Sequence, residues 1–189
     1  MKTYNWVTLG CGVIAHQLAY AMQQEGRTLY GVANRTYSKA KDFAEKHHIP
    51  KVYENIQDIF TDENVDIIYI STPHNTHIQY LKEALRHGKH ILCEKSITLN
   101  SRELEEAKQL AEENQLILAE AMTIYHMPLY KELHDRIASG SLGELKMAQM
   151  NFGSYKEYDM TNRFFNPSLA GGALLDIGVY ALSFVRWFM

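Results

Sequence analysis

The residues whose type and spacing could do chemistry begin with Leu9-Gly10-Cys11-Gly12-Val13-Ile14-Ala15, which carries the spacing G-x-G-x-x-A. The segment follows Tyr4–Thr8, which reads as a buried first strand. It opens onto a helical pattern with Ile14, Leu18, Ala21 and Met22 on one face. Strand, glycine turn and helix in that order make a dinucleotide-binding fingerprint. Gly10 permits the tight turn out of the strand. Gly12, with no Cβ, lets a pyrophosphate approach the backbone, and Ala15 lets the helix pack close to the strand. The helix start at Val13 and Ile14 then offers N–H groups and a partial positive charge to phosphate. The alternative is an ordinary glycine turn between strand and helix.

Further chemistry lies downstream. A second strand, Thr28–Ala33, ends at Asn34-Arg35-Thr36, about 20 residues past the glycines, where an acid would bind the ribose 2′-hydroxyl of NAD. Arg35 stands there instead, flanked by Asn34, Thr36 and Ser38, with Lys39 close by. A guanidinium pairs with a 2′-phosphate that a carboxylate would repel, so NADP is expected over NAD. NAD stays possible if Arg35 is an ordinary solvated arginine. The run Val65–Ser71 is nearly all apolar, as a central parallel strand requires, and stops at Thr72-Pro73-His74-Asn75-Thr76-His77. Carboxyl ends of strands line the ligand crevice of an open α/β sheet. Ser71, Thr72, Pro73, His74, Asn75 and His77 are therefore expected near the nicotinamide half of the cofactor. No cysteine or carboxylate cluster accompanies the two histidines, so no metal is expected. Near the end of the chain Asp176, Tyr180 and Ser183 recur at four and three residues within an apolar helix and share one face. That face reads either as a narrow solvated stripe or as a pocket wall.

Regular elements must position these groups. Ser38–Lys46 reads as a crossover helix, Lys51–Tyr53 as a short strand and Asn55–Phe60 as a short helix. Ile78, Leu81 and Leu85 stripe the next helix, closed near Gly88, and His90–Cys93 is a strand. Asn100 with Glu103 resembles a capping box opening a helix faced by Leu104, Ala107 and Ala111, and Leu116–Ala121 is the sixth strand. This alternation predicts an α/β fold, a Rossmann doubly wound parallel sheet over residues 1–121. From 122 the pattern changes. Pro128–Ala138 is helical, Leu145–Phe152 alternates like a strand, and an apolar helix runs from about Ala173 to the end. One strand cannot make a sheet on its own. Residues 122–189 are therefore expected to begin an α+β, mostly antiparallel substrate-binding domain whose remainder lies outside a truncated chain.

The 189 residues are 46% hydrophobic and 22% charged, a soluble globular composition. A net charge of −3 gives no electrostatic case for nucleic acid or an anionic membrane. No apolar run approaches the ~18–20 residues of a membrane span. Met1-Lys2-Thr3 enters a strand at once, so no signal peptide is expected. Two cysteines, Cys11 and Cys93, suit a reduced cytoplasm better than a disulfide framework. Cys11, inside the phosphate loop, reads as a small residue that fits there.

The glycine loop, Ser71-Thr72-Pro73-His74 with His77, and His87-Gly88-Lys89-His90-Ile91-Leu92-Cys93-Glu94-Lys95 together resemble the Gfo/Idh/MocA oxidoreductases. In order and spacing they follow that family's T-P-x-x-x-H and A-G-K-H-V-x-x-E-K-P. Gly140–Leu145 and Gly171–Tyr180 are similar to its dihydrodiol dehydrogenase-like branch. The resemblance spans the whole chain. It implies a Rossmann domain followed by a large sheet domain that builds the substrate pocket and often the homo-oligomer interface. It also implies hydride exchange between nicotinamide C4 and a carbinol or carbonyl of a small polyhydroxylated, sugar-like or cyclic diol substrate.

The family lysine maps to Lys95, beside Glu94, and would assist proton transfer at the reacting oxygen. A lysine partly buried beside a cofactor gives up its proton more readily than one in water. The alternative is a surface lysine at a strand end. Ser96 replaces the family proline. A cis bond before serine costs ~3 kcal/mol more than trans, so a differently built turn is expected. By the same resemblance Tyr180 holds the proton-donating position, and Asp176 positions the substrate or keeps Lys95 charged. Arg163, in Arg163–Pro167, reaches the nicotinamide side. The branch's Trp-x-Arg-Phe is replaced by Thr123-Ile124-Tyr125-His126, which weakens any transfer of aromatic-diol specificity. A second class stays open: a dinucleotide-binding sensor without catalysis, in which the lysine or the acid would be missing. Both are present.

Overall fold

A computed structural model describes residues 3–162 and 164–189. The chain divides into two compact units, Met1–Glu120 and Ala121–Met189. The first unit alternates strand and helix: β1 (Trp6–Leu9), α1 (Val13–Gln24), β2 (Gly31–Ala33), α2 (Tyr37–His47), β3 (Lys51–Tyr53), α3 (Asp58–Thr61), β4 (Ile67–Ile70), α4 (His77–Arg86), β5 (His90–Cys93), α5 (Ser101–Glu113) and β6 (Leu118–Glu120). All strands are parallel, in the order β3-β2-β1-β4-β5-β6. The chain reverses its build direction between β1 and β4, which makes that boundary the topological switch point of a doubly wound sheet.

The strands are apolar on both sides because helices cover both faces. One face packs Leu9, Ile68, Ile70 and Ile91 against Leu81, Leu85 and Ala107; the other packs Val32 and Tyr69 against Ala15, Ala19 and Phe43. Each fully buried leucine or isoleucine contributes roughly 1.5–3 kcal/mol. The register matters for the site. Leu9 pairs with Ile70 and Ile70 with Cys93. Their successors Gly10, Ser71 and Glu94 therefore leave the same edge of the sheet side by side.

Local differences from the expected elements have local causes. The β2 ladder begins only at Gly31, although the Tyr30 N–H already donates to the Trp6 carbonyl at 2.8 Å. The helix expected over Asn55–Phe60 is reduced to α3, because Asn55 Oδ1 accepts from the Gln57 N–H at 3.1 Å and turns the chain first. The capping box on α5 forms with a shift. Asn100 Oδ1 accepts from the Glu103 N–H at 3.0 Å, and Glu103 Oε2 accepts from the Leu99 N–H at 3.1 Å.

In the second unit α6 (Pro128–Ala138) begins with its proline in the first turn, where a missing N–H costs nothing. A π-helical turn, Leu174–Gly178, leads into α7 (Val179–Phe188). Tyr130 meets Phe184 and Phe188 with ring centroids 5.6 and 5.9 Å apart. Leu145–Phe152, expected as a strand, lies in no ladder among the described residues. Alternation sets which side is apolar, but a strand also needs a partner for its N–H and C=O groups. The stretch Pro167–Phe188 is long and apolar enough, by length and composition, to cross a membrane, which the sequence reading did not anticipate. It is not one continuous helix. Ala170 at φ 58° and Gly172 at φ 123° interrupt it. What remains, Leu174–Phe188, is about 22 Å long at ~1.5 Å per residue, short of a ~30 Å hydrocarbon core.

Candidate active site

Gly10 turns out of β1 with φ at 111°, and a Cβ there would lie 2.7 Å from Ser71 Oγ and 2.9 Å from the Ser71 carbonyl oxygen. Conformation and space both exclude a side chain. Backbone bonds fix the loop: the Gly10 N–H donates to the Ala33 carbonyl and the Ser71 N–H to the Leu9 carbonyl, each at 2.9 Å. A Cβ on Gly12 would meet nothing within 4 Å. Gly12 caps α1 without a side-chain hydrogen bond, and the first turn holds no acid. Its leading N–H groups have no intrahelical acceptor. Val13, 79% exposed, and Ile14 present apolar surface beside them. Aligned donors, open space over Gly12 and no opposing charge fit the pyrophosphate of a dinucleotide. Burial pushes the Cys11 thiol up to about 12 against the opposing pull of Lys39, so it stays neutral there.

At the end of β2 the Asn34 side chain donates from Nδ2 to the Thr36 carbonyl at 3.0 Å. Arg35, Thr36 and Lys39 are exposed. A cavity of about 290 Å³ adjoins the loop, lined by Cys11, His16, Lys39, Asp42, Phe43 and Lys46, so its two lysines share the wall with one acid. Cationic side chains at this position suit a phosphate better than a bare hydroxyl.

The turn that carries Lys95 is held from several elements. The Glu94 N–H donates to the Ile70 carbonyl at 2.8 Å, and the Tyr69 hydroxyl donates to Glu94 Oε1 at 2.5 Å. His74 Nε2 lies 2.9 Å from the Lys95 carbonyl oxygen. His77 Nδ1 lies 3.0 Å from the Ser96 carbonyl oxygen, and its Nε2 lies 2.8 Å from that of Thr72. Glu120 Oε1 accepts from the Ile97 N–H at 2.9 Å. The Lys95–Ser96 peptide bond is cis, contrary to the expectation drawn from its cost. Lys95 itself is half-buried. Burial pushes the Glu94 carboxyl above its ordinary value, against the Tyr69 hydroxyl and Lys95, which favour its charge.

His74 and His77, expected beside the cofactor, are buried and turn their rings to the backbone around Lys95. Thr72 and Thr76 link through their hydroxyls at 2.8 Å, while Pro73 and Asn75 are exposed. Among the described residues no three His, Cys, Asp or Glu side chains gather as metal ligands would. Tyr69 and Glu120 were not expected in the site. The one sequence signal for Tyr69 is a hydroxyl-bearing ring in an otherwise aliphatic strand. Glu120 gives none beyond an acid at a strand end.

Asp176 and Tyr180 belong to the second unit. Asp176 lies in the π-helical turn, its N–H donating to the Gly172 carbonyl at 3.3 Å. The Tyr180 ring meets Phe152 edge-on at 5.8 Å. Both are half-buried, which does not match a solvated stripe. π turns inside α-helices are frequent at functional sites. Arg163 lies outside the described residues.

Comparison with known proteins follows the same division. Residues 4–122 match the oxidoreductase family with an NAD-binding Rossmann fold, and residues 130–189 match the GFO/IDH/MocA C-terminal domain. The chain is 35% identical over 183 residues to trans-1,2-dihydrobenzene-1,2-diol dehydrogenase of Homo sapiens, covering 95% of this chain and 54% of that one. The Macaca fascicularis enzyme of the same name is 34% identical over 184 residues, covering 96% and 54%. Among solved structures it is similar to KijD10, a 3-ketoreductase from Actinomadura kijaniata in complex with NADP and TDP-benzene. The TM-score is 0.85 at 26% identity, covering 99% of this chain and 57% of that one. The chain spans about half the length of the curated relatives it matches. With its NAD-binding Rossmann domain and the start of the second domain, this chain belongs to the Gfo/Idh/MocA oxidoreductase family.

Proposed function

We propose that the protein is an NADP-preferring dehydrogenase or reductase. It would act on a CH–OH or carbonyl group of a small polyhydroxylated, sugar-like or cyclic diol substrate. The observation that carries this reading is the half-buried Lys95 on a turn held by Tyr69, His74, His77 and Glu120, at the same sheet edge as the glycine loop. A lysine fixed there suits a hydrogen bond to the reacting oxygen better than a surface role does. A bound nicotinamide would supply or accept the hydride. Lys95 would orient the carbinol or carbonyl oxygen, Tyr180 would give or take its proton, and Asp176 would position the substrate. Glu94 steadies the turn through Tyr69.

Gly10, Gly12, Val13 and Ile14 would hold the pyrophosphate. Asn34, Arg35, Thr36 and Lys39 would hold the 2′-phosphate, and Ser71 and Thr72 would face the nicotinamide side. NADP in the complex of the related KijD10 supports the cofactor preference. Residues 1–121 would be the cofactor domain and 122–189 the opening of the substrate domain, which would also form the oligomer contact. Two cysteines without a disulfide are in keeping with a reducing cytoplasm.

Titration of the chain with NADPH and NADH, followed by fluorescence, tests the reading. NADPH is expected to bind at least tenfold tighter. Oxidation of trans-1,2-dihydrobenzene-1,2-diol and of free aldoses with NADP⁺ then tests the substrate class. Equal affinity for the two cofactors refutes the role of Arg35, and binding of neither refutes the function.

A further inference from the structure

We propose that His77 is a positioning residue for Lys95, donating from both ring nitrogens to hold the lysine turn against the loop that follows β4. The inference rests on the reading of Lys95 as the group that handles the reacting oxygen. His77 is the first residue of α4 and is fully buried. Its Nδ1 faces the Ser96 carbonyl oxygen at 3.0 Å and its Nε2 faces the Thr72 carbonyl oxygen at 2.8 Å. A carbonyl oxygen only accepts, and a neutral imidazole has one N–H. Both bonds form together only when each nitrogen carries a proton. The ring is then an imidazolium, and both bonds are charge-assisted and stronger than neutral ones.

The choice of residue follows from the geometry. One side chain must reach two carbonyls, those of Ser96 and Thr72, from inside a core. Phenylalanine has no donors, and the amide of asparagine or glutamine carries both N–H groups on a single nitrogen. The titratable groups packed around the turn are each engaged. His74 lies edge-on at 5.6 Å between ring centroids and is itself spent on the Lys95 carbonyl. Glu94 and Glu120 end the adjacent strands and bond the same turn. On α5, which packs on α4, Glu103 is engaged by the Leu99 N–H and Glu106 by Lys82. The consequence lies in the backbone. Consecutive carbonyls, those of Lys95 and Ser96, are held by consecutive histidines of the Thr72–His77 segment. The place of the lysine is thereby tied to the loop beside the glycine turn.

Imidazole nitrogen chemical shifts of the ¹⁵N-labelled 189-residue chain test the protonation directly, with His77 assigned through its bonded carbons. Both nitrogens are expected at the shift of a protonated site at pH 7. One nitrogen at the unprotonated shift overturns the proposal. Reductive ¹³C-methylation of the lysines, with the Lys95 signal identified by its loss in Lys95→Arg, reads the positioning. In His77→Gln that signal is expected to move and to split into more than one. An unmoved, single signal in a variant that still melts cooperatively overturns the positioning role. If His77→Gln does not fold, the wild-type nitrogen shifts still decide. Failure of the wild-type chain to bind NADPH defeats the proposed function and leaves the nitrogen shifts readable, so the failures are distinguishable.

Discussion

At residue 10 a methyl group has nowhere to go. The backbone sits at φ 111°, and the Ser71 carbonyl would have to retreat from a new Cβ 2.9 Å away. Gly10→Ala should cost about 1–3 kcal/mol of stability, since unusual backbone and a backbone clash act together. It should also weaken NADPH binding at least tenfold, read by fluorescence titration. Lys95→Met tests chemistry rather than folding. Turnover should vanish while NADPH affinity stays near that of the parent, and parent-like turnover would sink the role given to the lysine. Asp62 supplies a pH-dependent prediction far from the site. Burial opposes its ionisation, but hydrogen bonds from Lys51, Tyr53 and Asn64 outweigh burial and hold the carboxyl well below its ordinary range. A carboxyl depressed in the folded state contributes stability that is present above the unfolded value, near pH 4, and lost as pH falls below it. The urea midpoint should therefore drop between pH 5 and pH 2. Asp62→Asn should lower the midpoint at pH 7 and flatten that drop.

Among the elements, α5 shows how a local signal becomes a measurable one. Asn100 accepts from the Glu103 N–H, and Glu103 returns a bond to Leu99 rather than to Asn100. Asn100→Ala should cost ~1 kcal/mol in a urea melt without changing cofactor affinity, because the cap shares no hydrogen bond with the glycine loop. That helix was legible because caps and apolar spacing are written within a few residues. So were β4 and β5, whose burial on both faces leaves apolar runs such as Ile67–Ile70. The segment Leu145–Phe152 was not legible in the same way. Its alternation says which side is apolar and nothing about a partner. Nor could the support of Lys95 be read. His74 and His77 meet main-chain carbonyls some 20 positions away, and a carbonyl is the same in every residue. Only the pairing of β4 with β5 brings them together. The glycine loop, by contrast, declares its chemistry in its own residue types.

On the scale of the whole molecule, the two units differ in how they satisfy their apolar residues. Both core clusters, from Val7 to Ala111, lie within the first unit. Its sheet order is complete from β3 to β6, and the groups that would hold pyrophosphate and 2′-phosphate all come from it. The second unit has no strand ladder among its described residues, and it leaves Leu129 at 70%, Met147 at 79% and Leu174 at 65% exposed. Apolar surface on that scale favours association over an isolated fold. Residues 1–120 expressed alone should therefore melt in one cooperative transition. NADPH at a hundred times its Kd should stabilise that transition by ~2.7 kcal/mol, because the ligand binds only the folded form. Residues 121–189 expressed alone should show no cooperative transition and should self-associate in sedimentation. The reasoning fails if the first piece melts without cooperativity or ignores NADPH. It fails equally if the second piece is monomeric and cooperative, since its exposed leucines and methionines would then need no partner.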